Sequence, residues 1–181
     1  MTDTRLDPIL RSVTRPARYA GGEWNSVVKP QAQVRIALAY PDVYEVGMSN
    51  LGLSLLYEAV NAHPDYAAER VYAPWPDMAA ALRRAQLPLF SLESQRPLGE
   101  FDMLGFSLGC ELTYTNVLEM LDLAGLPVLA RERDERHPLV IAGGGCALNP
   151  EPMADFIDLC VLGEGEEVLL EMLELVAQSK R

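Results

Sequence analysis

Three short segments of the 181-residue chain hold side chains from which a ligand site can be built. The first, Pro41-Asp42-Val43-Tyr44-Glu45-Val46-Gly47-Met48-Ser49-Asn50, places a carboxylate two residues before a phenol and then a glycine. The second, Ser107-Leu108-Gly109-Cys110-Glu111, offers a hydroxyl beside a glycine. The third opens on Gly143-Gly144-Gly145 and runs to Asn149. Successive glycines permit positive φ and let a ligand lie directly against the backbone, where a side chain would intervene. A sharp turn needs one glycine, so three point to a ligand or to close helix packing.

Ligands of open α/β sheets bind at the carboxyl ends of the strands, so the preceding elements decide whether these segments meet. Val34-Arg35-Ile36-Ala37-Leu38-Ala39-Tyr40 alternates bulky and small residues and predicts a first strand running into the first segment. Leu51, Leu53, Leu55, Leu56, Ala59 and Val60 then predict a helix from about Ser49 to Ala62, with Ser49 or Asn50 as N-cap. Arg70 to Ala73 reads as a short strand, and Pro76 with Asp77 opens a helix to about Gln86. Pro88 to Glu93 reads as an edge strand, with Glu93 solvated. Phe101 to Leu108 is nearly continuous in apolar residues, as strands covered on both faces are, and delivers Ser107. A helix over Thr113–Leu123 follows, and Leu139-Val140-Ile141-Ala142 predicts a buried strand ending at the three glycines. A short helix from Pro150, a strand over Ile157–Leu162 and a helix to about Val176 complete the chain. Strands alternating with helices predict a Rossmann-like, flavodoxin-like α/β fold: a doubly wound, mostly parallel sheet of about five strands with right-handed crossovers. Residues 1–33 lack a sustained period and read as an arm packed on, or leading into, a domain of residues 34–181. Trp24 and Tyr19 are expected to pin that arm to the core, the alternative being a contact of Arg15–Asn25 with another domain.

Several chemistries are excluded. No G-x-G-x-x-G follows the first strand and no Walker loop is present, while Asp42 and Glu45 oppose an anion docking there. A phosphorylatable aspartate, as in receiver domains, is absent after the central strand, where Ser107-Leu108-Gly109 stands. Cys110, Cys146 and Cys160 are 36 and 14 positions apart, which fits neither a disulfide framework nor a zinc or iron–sulfur spacing, and they are expected to be reduced and buried. Residues 1–35 carry six basic and three acidic side chains, so the rest of the chain holds −14 against a net charge of −11; a main body so acidic opposes nucleic-acid binding. No apolar run reaches the ~18 residues of a membrane helix and the start lacks a signal-peptide core, so a cytoplasmic location is expected.

Other polar residues read as structural. His63 and His137 each precede a proline at an element end, and Glu164, Glu166 and Glu167 offset the positive end of the last helix. Glu111, Tyr114 and Asn116 follow the central strand and are candidates to face the ligand edge, with packing on the sheet the alternative for Tyr114.

The three segments, in this order on these strands, resemble the D-x-H-x-x-G, S-x-L and G-G elements of cobalamin-binding domains. The likeness is closer to the N-terminal module of radical S-adenosylmethionine proteins carrying a cobalamin-binding-like domain. It covers about residues 14–176 and rests on six phrases: Arg18–Glu23, Pro41–Gly52, Glu69–Trp75, Glu111–Leu118, Asn149–Pro152 and Gly163–Glu166. The resemblance implies a corrinoid over Asp42, Tyr44, Gly47, Ser107, Gly109, Gly143, Gly144 and Gly145, and methyl transfer or a related radical step performed with a radical SAM barrel in cis or in trans.

Two departures qualify that picture. Cobalamin domains place histidine where this chain has Tyr44, and leucine where it has Gly109. Forming a phenolate at pH 7 costs about 4 kcal/mol, so Tyr44 is expected either beneath the corrin as a neutral wall or hydrogen-bonded within a domain that holds no corrinoid. The second departure is that no C-x-x-x-C-x-x-C loop occurs, so no iron–sulfur cluster is expected on this chain and, by the resemblance, no catalysis by it alone.

Overall fold

In the computed structural model, which describes residues 6–180, five strands form one sheet in the order β2-β1-β3-β4-β5. These are β1 (Val34–Tyr40), β2 (Tyr66–Tyr72), β3 (Met103–Ser107), β4 (Leu139–Gly143) and β5 (Leu159–Cys160). Every pairing is parallel, with Ile36 opposite Met103 and Ser107 opposite Gly143. The strand order reverses between β1 and β3, which is the switch point where such sheets bind ligands.

Helices cover both faces. On one, α3 (Leu51–Ala62) and α6 (Gly165–Ser179) bury Leu53, Tyr57, Leu169 and Leu173 against Ile36, Leu38, Met103 and Ile141. On the other, α1 (Leu6–Ser12), α4 (Pro76–Ala85) and α5 (Tyr114–Leu123) pack Ile9, Met78, Leu82 and Met120 over Leu104, Phe106 and Val140. A further single turn, α2 (Tyr44–Gly47), sits inside the loop after β1. Asn50 caps α3 by accepting from the Leu53 N–H at 2.8 Å, a contact typically worth about 1 kcal/mol.

Several expectations are corrected. The segment Pro88–Glu93 forms no strand; its only pairing is an isolated antiparallel bridge of Phe90 with Pro97. It covers the free side of β2 instead: Leu92 N–H donates to the Arg70 carbonyl at 2.7 Å, and Glu93 Oε2 accepts from Arg70 N–H at 2.6 Å. Glu93 is therefore not solvated. Its side chain is fully buried, and Oε1 pairs with Arg70 Nε at 2.6 Å. This cover is why all seven residues of β2, a strand at the end of the sheet, are buried. β2 begins four residues earlier than the sequence suggests, whereas β5 shrinks to two residues and the turn after Pro150 is a single 3-10 turn, Glu151–Met153.

The arm packs through α1 and Tyr19, but Trp24 is 97% exposed and anchors nothing. Nor are the cysteines buried: Cys110 is exposed, and Cys146 and Cys160 are partly so, all three as free thiols. His63 ends α3 and stacks on Tyr66 at 4.0 Å, and His137 lies beside Asp134 in a turn. No helix among the described residues is long and apolar enough to cross a membrane.

Candidate functional site

At the switch point a cleft of about 330 Å³ opens between α3 and α6. Its floor is Ile36 and Leu38 of β1, Gly105 of β3 and Ile141 of β4; its upper wall includes Ser107, Gly109 and the three glycines. Gly105 makes the floor deep, because a Cβ there would sit 3.4 Å from Ile36 and 3.5 Å from Ile141. The loops after β3 and β4 are stitched together, with Leu108 N–H donating to the Gly143 carbonyl at 2.7 Å and Cys146 N–H to the Leu108 carbonyl at 3.0 Å.

The three glycines have different reasons to be glycine. Gly144 has φ +98°, and a Cβ on it would lie 2.9 Å from the Leu108 carbonyl oxygen, so the fold itself demands it. Gly143 would meet only Val161, at 3.8 Å, and Gly145 would meet nothing within 4 Å. Backbone is thus bared to the cleft at two positions where the fold does not require it.

The loop after β1 is built in the opposite way. Of Asp42, Tyr44 and Gly47, none lines the cleft. Tyr44 Oη donates to Glu23 Oε1 at 2.7 Å, and its ring meets Tyr72 edge-on at 5.6 Å. Burial first, and then the Glu23 carboxylate, push the Tyr44 phenol up to about 12. Glu45 pairs with Arg15 at 2.8 Å and Arg18 at 3.0 Å, and these guanidinium groups hold its carboxyl below the usual range. Asp42 Oδ1 accepts from the neighbouring Val43 N–H at 2.7 Å. Gly47 is glycine because a Cβ would collide with the Tyr72 ring. From the other side, Asn116 Nδ2 donates to the Pro41 carbonyl at 2.8 Å.

What sequence reasoning missed is that the arm packs on this loop, through Glu23, Arg15 and Arg18. Arg18 lies 5.1 Å over the Trp75 ring, and Tyr19 Oη accepts from Trp75 N–H at 3.0 Å. The phrases Arg18–Glu23, Pro41–Gly52 and Glu69–Trp75, far apart in the chain, are here one packed unit. A signal was available: each carries a charge or aromatic that complements another.

Electrostatically the cleft holds two carboxylates, Glu164 and Glu166, and no basic side chain. Those glutamates flank the first turn of α6, as expected, but also form the rim. Partial desolvation pushes the Cys146 and Cys160 thiols up, away from the thiolate that metal binding needs. Among the described residues no group of three or more His, Cys, Asp or Glu is placed to hold a metal ion.

The family profile for radical SAM proteins, N-terminal, matches residues 52–181. The chain belongs to this radical SAM N-terminal family. The matched region contains Ser107, the glycine loop and α6, while the Asp42–Gly47 loop and the arm precede it. No curated protein matches the chain. Among solved structures, a putative pilus assembly-related protein from Burkholderia pseudomallei K96243 is similar at 13% identity and a TM-score of 0.43, covering 84% of this chain and 95% of that one. A likeness so distant carries no functional weight.

Proposed function

We propose that this radical SAM N-terminal domain binds a corrinoid at the cleft and presents it to a radical SAM barrel, in cis or in trans. The observation that carries the reading is the bared backbone at Gly143 and Gly145, open space that the packing of the domain does not explain.

The fit to the cofactor is divided. Tyr44 does not suit a cobalt ligand: its phenol is held neutral, donates to Glu23 and is not among the residues lining the cleft. The cleft does suit a flat, uncharged aromatic group, with Leu38, Leu53, Leu56 and Ile141 as apolar walls. A di- or triphosphate would meet Glu164 and Glu166 with no cation to balance it. Ser107, Gly143 and Gly145 would hold the uncharged aromatic base at the end of a corrinoid's nucleotide tail, and no residue of this chain would take the cobalt. When bound, the corrinoid supplies a methyl-carrying cobalt, and the barrel supplies S-adenosylmethionine and the iron–sulfur cluster.

The test is to mix the chain with hydroxocobalamin and with methylcobalamin, and to follow co-elution and the visible spectrum. Retention at micromolar protein is expected, equal in Tyr44→Phe, with no sign of a protein ligand on cobalt. Absence of retention would sink the proposal. It would favour a second reading, a cofactor-free docking domain for a radical SAM barrel. That reading draws on the sealed Tyr44–Glu23 contact and on Leu51, Leu112, Leu148 and Leu162, exposed along the carboxyl edge.

A further inference from the structure

We infer that Cys110 and Cys146 are a thiol pair that a low-molecular-weight disulfide oxidises to an intrachain bond across the mouth of the cleft. Each directly follows a glycine that lines the cleft, Gly109 in the loop after β3 and Gly145 in the loop after β4. A bond between them ties those two loops together, whatever the cleft binds.

The backbone brings the pair together. Ser107 and Gly143 are register partners at the ends of β3 and β4, and Leu108 N–H extends the contact by donating to the Gly143 carbonyl at 2.7 Å. Cys146 N–H then donates to the Leu108 carbonyl at 3.0 Å, so one hydrogen bond and two residues of chain separate it from Cys110. With consecutive Cα atoms about 3.8 Å apart, that path is compatible with the roughly 4.4–6.8 Å between the Cα atoms of a disulfide. The Cys110 carbonyl is held, accepting from Thr113 N–H at 3.1 Å and Thr113 Oγ1 at 2.7 Å. Its exposed side chain is the part left to turn.

The side chains share one small space. Partial desolvation first, and then the Glu111 carboxylate, raise the Cys146 thiol; the Cys110 thiol adds to them, and the Tyr114 hydroxyl, hydrogen-bonded to Cys146, opposes them. The Tyr114 phenol is itself raised by desolvation first, then by Cys146, Glu111 and Cys110. Cys160 differs. Desolvation alone raises its thiol, and it lies in β5 opposite Ala142.

The chemistry balances in two exchanges. The exposed Cys110, as thiolate, attacks one sulfur of oxidised glutathione and expels one small thiolate. Cys146, slower because its thiol is raised, gives its proton to that thiolate and attacks the Cys110 sulfur, expelling the second. The second leaving group takes up the proton that Cys110 gave to solvent. Two electrons have passed from the protein to the reagent.

The experiment treats the full native chain with excess oxidised glutathione, alkylates the remaining thiols and digests after glutamate, where cuts at Glu111 and Glu151 separate the three cysteines. The expected product links the Cys110 and Cys146 peptides with loss of two hydrogens, leaves Cys160 alkylated and retains no glutathione. Cys146→Ser should stop at a glutathione adduct on Cys110, and Cys110→Ser should lose the Cys146 thiol at least about tenfold more slowly. In urea the preference should pass to Cys146 with Cys160, 14 positions apart against 36, because the shorter loop closes more easily. A native chain that keeps glutathione on Cys110, that links through Cys160, that gives the same products as the unfolded chain, or whose Cys110 and Cys146 both remain open to alkylation would overturn the inference.

Discussion

The loops after β1 and β4 leave the same edge of the same sheet, yet one is closed and the other open. In the first, the Tyr44 phenol, the Glu45 carboxylate and the Asp42 carboxylate all have partners within the domain. In the second, Gly143 and Gly145 leave backbone facing a cleft, with only Gly144 required by the fold. Tyr44 and Glu45 hold the arm, whereas the absence of side chains at Gly143 and Gly145 leaves the cleft open. A functional-looking residue type is therefore weaker evidence than space that the packing leaves unexplained.

The sharpest way to break this comparison is at the glycines. Gly144→Val forces a β-branched side chain into positive φ against the Leu108 carbonyl and should cost about 3 kcal/mol in urea unfolding. A cost below about 1 kcal/mol would mean that the turn relaxes and that Gly144 is no more structural than its neighbours. Gly145→Leu should do the reverse. Stability changes by less than about 0.5 kcal/mol, while corrinoid retention falls by about tenfold. Unfolding curves and retention on the same preparation separate the two effects.

On the closed side, Glu23→Ala should cost about 1 kcal/mol through the lost hydrogen bond and lower the Tyr44 titration, read by phenolate absorbance against Tyr44→Phe. The sign of the pH dependence follows from a phenol raised from 10.0 to about 12 in the fold. The folded domain keeps this proton where the unfolded chain has lost it. The contribution of Tyr44 is thus complete below about pH 10 and disappears as pH climbs towards about 12. A Tyr44 titrating near its ordinary value in the wild type would place it in water. The smallest effect is expected from Arg15→Ala, whose ion pair with Glu45 is exposed on both sides; the melting temperature should not move, because Arg18 still holds Glu45.

Much of this was legible in the sequence, and the failures have physical causes. Phe101–Leu108 and Leu139–Ala142 announce buried strands because continuous apolar runs of that length have few other uses. The first half of β2 is hidden, since Ala67, Ala68 and Glu69 favour no strand and a buried carboxylate reads as surface. Pro88–Glu93 imitates a strand because its apolar residues do face a sheet, though they meet its side and not its ladder. The glycine loop was visible as composition, but the division of labour between Gly144 and its neighbours needed φ and distances. Tyr44 stood out in the sequence, but its partner, 21 residues earlier in an arm without periodicity, was not readable.

The cover over β2 has a consequence for how this domain meets other molecules. A parallel sheet normally offers its two outermost strands as templates on which another chain can add a strand. Here one template is masked, with Leu92 N–H and the Glu93 carboxylate occupying Arg70, and the other, β5, is only two residues long. Growth of the sheet across a protein interface is thereby opposed at Arg70 of β2, and β5 offers only a short ladder. The surfaces that remain open for contact by shape and side chains are the strand tips and the outer faces of the helices.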